Sequence, residues 1–172
     1  LETERTLVAA IYPENVSFIH KIQGIVVKRK SDLSLLLGVL NSLPIDFYIR
    51  MLGKTDILFS VICGIPLPIF TQEEKISLFV RALGLNCLTN NYSGFWQSSF
   101  DTNWLKDRWA SAFHNIDQNW FSRLSRTWTR DCSLRSHLIR RQALIEIDVL
   151  VAHAFGITLY ELTDIEQTSS GI

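Results

Sequence analysis

The sequence predicts an α+β fold in which a small β-sheet is packed by several α-helices and the C-terminal half is mainly helical. Three observations predict it. Two β-rich segments open the chain, apolar residues recur at helical spacing from Leu33, and a long apolar helix is expected over 137–155. With 172 residues and 47% hydrophobic content, the chain can bury a core, and we expect a single domain over 1–172.

A β-hairpin is predicted at the start of the chain. Residues 4–12 and 17–27 are rich in β-branched and aromatic side chains, and a turn at 13–15 joins them. A basic turn at 28–30 follows the second strand. This hairpin forms the first part of the predicted scaffold, which extends to residue 70.

The second part of that scaffold is predicted to be a helix, a break, a second helix and a strand. Ser31 and Asp32 are expected to cap the first helix. Pro44 interrupts it, because proline has no N–H to donate and its ring clashes with the preceding turn. The run 56–65 is β-branched and aromatic, so we expect a strand that the Pro-x-Pro sequence at 66–68 ends.

Residues 71–172 are predicted to be mainly helical. The expected elements are a helix that starts at the 71–74 capping box and ends at Gly84, a polar loop over 85–100, a long helix over 137–155, and a short helix that starts at a second capping box, 158–161.

Several motifs of catalysis are missing from the sequence. It contains no Walker A loop, no G-x-G-x-x-G, no Asn-Pro-Pro-aromatic signature of amino-group methylation and no serine nucleophile elbow. The four histidines lack metal-ligand spacing, and the three cysteines lack a C-x-x-C pair. We therefore predict no catalytic residue, metal or cofactor in this segment, and a reducing, cytoplasmic location without a membrane.

A basic, tryptophan-rich segment at 96–141 is the main positive signal of function. All five tryptophans lie there, and residues 105–141 carry eight basic and three acidic side chains, although the whole chain is neutral. Arginine and lysine neutralise phosphates, so the segment predicts contact with double-stranded DNA. The predicted phosphate contacts are Lys106, Arg108, Arg123, Arg126 and Arg130, with Lys28, Arg29, Lys30 and Lys54 as secondary contacts.

The spacing of three arginines in this segment matters for the predicted contact. Arg123, Arg126 and Arg130 are three and four residues apart, so they share one face if the segment is helical. Base readout is expected from the polar loop, because Asn and Gln pair with adenine through two hydrogen bonds. The candidate readers are Asn90, Asn91 and Gln97. The competing interpretation is a solvated surface whose tryptophans lie in the core.

Charged residues within apolar stretches predict structural ion pairs. Asp46 and Arg50, at positions i and i+4, are expected to form a local pair. Asp148 lies on the long apolar helix, so we expect it to be buried in a salt bridge with Arg140 or Arg141.

Three motifs together resemble one protein family. They are Glu4-Arg5-Thr6-Leu7-Val8-Ala9-Ala10; Leu40-Asn41-Ser42 with Asp46, Phe47, Arg50 and Ile65-Pro66-Leu67-Pro68; and Glu146–Ala152 with Phe155-Gly156-Ile157-Thr158 and Glu161-Leu162. Their order and spacing are similar to the C-terminal recognition region of bacterial adenine-N6 DNA methyltransferases. These enzymes belong to restriction-modification and phage-defence systems and include the fused, type IIG enzymes. The chain departs from the family between Asp56 and Ser60, where relatives often carry a glycine-rich turn with histidine and asparagine; only Gly53-Lys54-Thr55 remains of that turn.

The resemblance implies a target-recognition module that holds duplex DNA while a separate catalytic domain flips and methylates an adenine. That domain would lie N-terminal to Leu1, and because the chain does not begin with Met we expect a C-terminal fragment. The resemblance implies S-adenosylmethionine as the cofactor of the parent chain, which would be a methyltransferase or a restriction–methylation fusion. The segment alone is predicted not to be an enzyme.

An alternative function is a protein-interaction or scaffold domain that docks the catalytic part or a partner subunit. Tryptophan and arginine are both frequent hot-spot residues of protein interfaces, so the same segment is compatible with that role. Exposed tryptophans among scattered arginines would favour a protein partner, whereas arginines that line a concave face would favour DNA.

Overall fold

The computed structural model describes residues 5–14, 16–17, 19, 22–53, 57–110 and 115–170. These residues contain seven α-helices and four short 3₁₀ turns. The helices are α1 (Lys30–Leu40), α2 (Leu43–Met51), α3 (Phe59–Cys63), α4 (Gln72–Asn86), α5 (Ser93–Ser99), α6 (His137–Ala154) and α7 (Leu159–Ser170). The 3₁₀ turns are Asn90–Tyr92, Thr102–Lys106, Phe121–Arg123 and Arg130–Cys132.

The predicted sheet is wrong, because the described part of the chain is 58% helical and contains no strand. The segment 5–13 is not helical, and backbone amides of Leu7, Ala9 and Ile11 donate to side chains of the helical body instead of to a second strand. Residues 22–27 are also not helical and do not pair with it. The predicted hairpin is therefore absent from these residues; part of its second strand, at 18, 20 and 21, lies outside them.

The strand predicted over 56–65 is also wrong, since Phe59–Cys63 forms α3. A strand needs a neighbouring edge for its backbone groups, whereas a helical turn bonds to itself. Here the amides of Val61 and Ile62 donate to the Leu58 carbonyl. Asp56 lies outside the described residues.

A sharp bend joins α1 and α2, whose axes differ by 68°. Pro44 lies in the first turn of α2, where its missing N–H costs nothing. The predicted Ser31–Asp32 cap is wrong, because α1 begins after Arg29 without a side-chain cap. Across the described residues no one helix combines the length and apolar character needed to cross a membrane; α1 and α2 meet that criterion only jointly, as this bent pair.

Helix α4 packs against both α1 and α6. Its predicted capping box is confirmed, because Thr71 and Glu74 exchange hydrogen bonds. The prediction that Gly84 ends this helix is wrong, because Gly84 lies within α4. A Cβ at this position would come 2.9 Å from the Trp120 ring, so glycine is required for close packing. The expected loop over 85–100 is partly wrong, since it contains the end of α4 and all of α5.

The two C-terminal helices agree with the sequence. Helix α6 starts at His137, as predicted, and Gly156 follows it with φ at +75°, a conformation that favours glycine. The predicted capping box before α7 is confirmed by hydrogen bonds between Thr158 and Glu161. Helix α7 packs against α2.

Candidate nucleic-acid interface

The basic segment between 105 and 135 is irregular instead of helical. Within it, the structure describes two 3₁₀ turns, Phe121–Arg123 and Arg130–Cys132, separated by extended residues. The helical spacing proposed for Arg123, Arg126 and Arg130 therefore does not apply. All three side chains are nevertheless exposed, as are Lys106 and Arg108.

The tryptophans belong to the core, as the competing interpretation expected. Four of them are buried and Trp128 is half-buried. Except for that of Trp104, the indole N–H groups donate to backbone carbonyls and so hold the irregular backbone in place, because a buried N–H needs an acceptor. Trp96 donates to the Ser125 carbonyl at 2.9 Å, and Trp120 donates to the Asp131 carbonyl at 3.1 Å. The segment is thus fixed by its aromatic residues without regular structure.

Ion pairs divide the basic side chains of this segment into two classes. Arg123 is paired with Asp117, so its charge is locally compensated. Asp107, a second acidic side chain of the segment, is bound to a buried arginine of α4. Exposed Arg135 forms no ion pair within the described chain but donates to the Leu88 carbonyl. Four further exposed cations form neither an ion pair nor a side-chain hydrogen bond with the residues that the structure describes. They are Lys106, Arg108, Arg126 and Arg130.

A buried arginine positions part of this basic surface. Arg81 is only 3% exposed and donates to Asp107 at 2.6 Å, to Glu146 at 2.5 Å and to the Arg108 carbonyl at 2.8 Å. Its guanidinium also lies over the Trp109 ring, with 5.4 Å to the centroid. Because Asp107 and Arg108 follow Lys106 directly, this network fixes the backbone that presents Lys106 and Arg108.

Glu146 completes that network from α6. Its carboxylate accepts hydrogen bonds from Gln142 at 2.6 Å and from the Ala110 amide at 2.8 Å, in addition to Arg81. The sequence analysis missed Arg81 entirely. The available signal was a charged residue between two apolar helix positions, Val80 and Ala82, which implies a buried charge with a partner.

One secondary cation, Lys30, and one candidate base reader, Asn91, lie at a different feature. A cleft of about 520 Å³ is lined by residues 11–14, Val16, Lys30, and residues 91–95 except Ser93. Lys30 donates to Ser98 at 3.1 Å and lies 6.0 Å from the Phe95 ring centroid. The structure therefore places Lys30 beside Asn91. Four further candidates are exposed, namely Asn90, Gln97, Lys28 and Arg29. Arg29 pairs with Asp32. Lys54 lies outside the described residues.

The residues that carry the family resemblance meet in one polar cluster. The Ala9 amide donates to Asn41 at 3.0 Å, and the Asn41 side chain donates back to the Ala9 carbonyl at 2.9 Å. The Thr6 and Leu7 amides both donate to Asp46. We call residues 5–13 the anchored segment. The N-terminal anchor comprises the side chains that hold it, which are Asn41, Asp46, Asn86, Tyr92 and Asp148.

Asp148 has a partner that the sequence analysis did not consider. It pairs with Arg5 at 2.6 Å and accepts the Leu43 amide at 2.7 Å, so the expected pairing with Arg140 or Arg141 is wrong. Arg140 instead donates to the carbonyls of Leu85 and Leu134. Burial raises the pKa of Asp148 above its usual value, and the hydrogen bond from Arg5 opposes that shift. The predicted Asp46–Arg50 pair is confirmed at 2.9 Å.

The three cysteines differ in exposure. Cys63 is exposed, whereas Cys87 and Cys132 are buried, and all three are free. Burial raises the pKa of the Cys87 thiol to about 12, so its reactive thiolate is scarce near neutral pH. The described residues also contain no cluster of three or more His, Cys, Asp or Glu side chains that could hold a metal ion.

No protein-family model, no curated protein and no solved structure matches this chain significantly.

Proposed function

We propose that this chain is the DNA-binding, target-recognition module of an adenine-N6 DNA methyltransferase of a restriction-modification system. In this proposal the exposed cations at 106–130 contact the phosphates of duplex DNA. A catalytic domain elsewhere in the parent chain binds S-adenosylmethionine and methylates the target adenine; none of the residues described here is assigned to that cofactor. A cytoplasmic location, where bacterial DNA lies, belongs to the same proposal.

One observation carries the proposal. Lys106, Arg108, Arg126 and Arg130 are exposed without an ion-pair partner among the described residues, on a backbone that buried tryptophans and Arg81 hold in place. Uncompensated cations on an ordered backbone are suited to phosphates, because little conformational entropy is lost on binding. The burial of the tryptophans argues against the same segment as a protein interface, which would need them exposed.

Duplex binding as a function of salt tests the proposal. Each phosphate contact releases condensed counterions, so the slope of log K against log salt should become shallower by about 0.9 for each contact removed. We expect Arg126→Gln and Arg130→Gln each to weaken binding of a fluorescein-labelled duplex of mixed sequence, measured by anisotropy. An affinity that does not depend on salt, or no binding at all, would contradict the proposal.

Arg123→Gln is the matched control. It removes one positive charge from the same segment, but that charge is already compensated by Asp117. We therefore expect a smaller change in slope than for Arg126→Gln. Equal effects of the two substitutions would show that only net charge matters and would argue against specific phosphate contacts.

A second candidate function is protein docking, which a different part of the surface favours. Residues 57–70 carry no charged side chain, and several of their large apolar side chains are exposed, with Ile69 92% exposed. Exposed apolar side chains without charge are typical of protein interfaces. The exposed members are Leu58, Phe59, Leu67 and Ile69.

Titration of this chain against the separately produced catalytic part of the parent protein tests the second candidate. Phe59→Lys and Ile69→Lys should abolish the calorimetric signal if this surface docks that part, because each places an unpaired charge in an apolar interface. The same two variants should leave duplex binding intact, since the proposed phosphate contacts lie elsewhere. An unchanged titration would exclude docking through 57–70.

A further inference from the structure

From Leu7 to Ile11, the anchored segment is held along one backbone edge only. In an extended chain the N–H and C=O of one residue project to the same edge, and those of the next residue project to the opposite edge. Ala9 exchanges both groups with Asn41; at Ile11 the amide donates to Asn86 and the carbonyl accepts from Tyr92. These odd-numbered residues therefore define an inner edge that faces the helices.

Within the described part of the chain, the outer edge of the anchored segment is unpaired at Val8 and Ala10. The N–H and C=O groups of Val8 and Ala10 form no hydrogen bond with any residue that the structure describes. Both side chains are exposed, and Val8 is 74% exposed. A strand edge of this kind is a template for another strand, and here the N-terminal anchor has already ordered it.

A second described segment without helix or strand also lacks a backbone partner. The backbone of residues 23–27 forms no hydrogen bond with the described residues, and Val26 is 97% exposed. Ile25 packs against the core, so this segment too is attached to its own helical body. The two described segments form no hydrogen bond with each other.

We propose that residues 23–27 of a second copy of this chain pair with the outer edge of the anchored segment, so that two copies exchange strands. Val8 and Val26 are β-branched and exposed, and such residues stabilise neighbouring strands when they pack side by side. Charge is complementary in both strand directions. The basic run 28–30 follows the incoming strand, while Glu14 follows the anchored segment and Glu2 and Glu4 precede it in the sequence.

Oligomeric state and residue-resolved amide exchange of the intact chain test this proposal together. We expect a dimer by sedimentation equilibrium, with exchange at the Val8 and Ala10 amides slowed at least tenfold as concentration rises. A chain that stays monomeric at all concentrations overturns the proposal. So does a monomer in which these amides are protected, which would indicate pairing within one chain, and so does an open-ended assembly.

Proline and threonine at one position provide a matched pair of variants. Ala10→Pro removes the outward N–H and should yield a monomer. Its melting temperature should equal that of the wild type at concentrations where the wild type is monomeric, because that N–H has no partner among the chain's described residues. Ala10→Thr keeps the N–H and should remain dimeric. Val26→Pro makes the same test on the other strand and decides the outcome if Ala10→Pro lowers the melting temperature. A dimer that survives Val26→Pro contradicts the proposal.

Discussion

The N-terminal anchor and the basic segment at 105–135 use polar residues in opposite ways. In the anchor, Asn41 and Asp46 are half-buried or buried, and their side chains replace a missing strand for the segment 5–13. In the basic segment, cations such as Arg126 and Arg130 are exposed and have no ion-pair partner among the described residues. The polar groups of the first region stabilise the fold, whereas those of the second are exposed to solvent.

The residues of the family motifs and the proposed DNA contacts lie in different parts of the chain. Several motif residues, among them Arg5, Asn41 and Asp148, belong to the polar cluster of the anchor and contact no candidate DNA-binding side chain in the hydrogen bonds and ion pairs of the described chain. Glu146, also in a motif, instead binds Arg81. The residues proposed to bind phosphate lie outside all three motifs. In this chain the motif residues therefore stabilise the fold and are not themselves the proposed DNA contacts.

Loss of the Arg5–Asp148 pair is expected to have the largest effect on stability. Arg5→Ala leaves the Asp148 carboxylate buried without its cation, and breaking such a pair costs about 3 kcal/mol. Chemical denaturation followed by circular dichroism measures the loss. Arg29→Ala is the control, because the Arg29–Asp32 pair is exposed and its removal should cause no measurable change. Equal losses would show that burial does not distinguish the two pairs.

Asn41→Ala should have the second largest effect. It removes both surrogate strand bonds to Ala9 and a bond to the Leu37 carbonyl, for an expected loss of about 2 kcal/mol. Amide exchange should also become faster at Ala9. If exchange at Ile11 stays slow, Asn86 and Tyr92 hold that part of the segment independently. A variant as stable as the wild type would show that the anchor contributes little to the fold.

What the sequence predicted, and what it missed, follows from the range of the interactions. Local signals succeeded: the capping boxes at Thr71 and Thr158, the long helix α6 and the Asp46–Arg50 pair depend on neighbours within four residues. The sheet failed because period 2 indicates an extended backbone but does not say what pairs with it. Only the fold brings Asn41 within hydrogen-bond distance of Ala9, which is 32 residues away in the chain.

The candidate site shows the same limit. Composition alone indicated a basic segment at 105–141 and allowed the tryptophans a core role; most of its cations are exposed, whereas Arg140 is half-buried. The assumed helical spacing of Arg123, Arg126 and Arg130 was wrong, because indole-to-carbonyl bonds such as that from Trp96 stabilise an irregular backbone. Arg81 was missed because its partners Asp107 and Glu146 are 26 and 65 residues away.

The pH dependence of stability should sharpen the contrast at Asp148. Its folded-state pKa is raised, so the stability it contributes is fully present below the pKa of the unfolded chain and is lost as pH rises through the folded value. Arg5→Ala removes a contact that lowers this pKa and should raise it further. The difference in unfolding free energy between wild type and Arg5→Ala should therefore shrink on acidification. A constant difference across acidic pH would contradict the assignment.

The smallest stability effect is expected in the basic segment. Arg126→Gln and Arg130→Gln alter exposed side chains without an ion-pair partner in the described chain, so each should change the unfolding free energy by less than about 0.5 kcal/mol. The same substitutions are the ones expected to weaken duplex binding. Denaturation and anisotropy measured on one set of variants thus test both regions: anchor variants should lose stability first, and basic-segment variants should lose only affinity. A marked loss of stability in Arg126→Gln would mean that Arg126, like the buried Arg81, stabilises the fold. It would then not belong to the proposed interface.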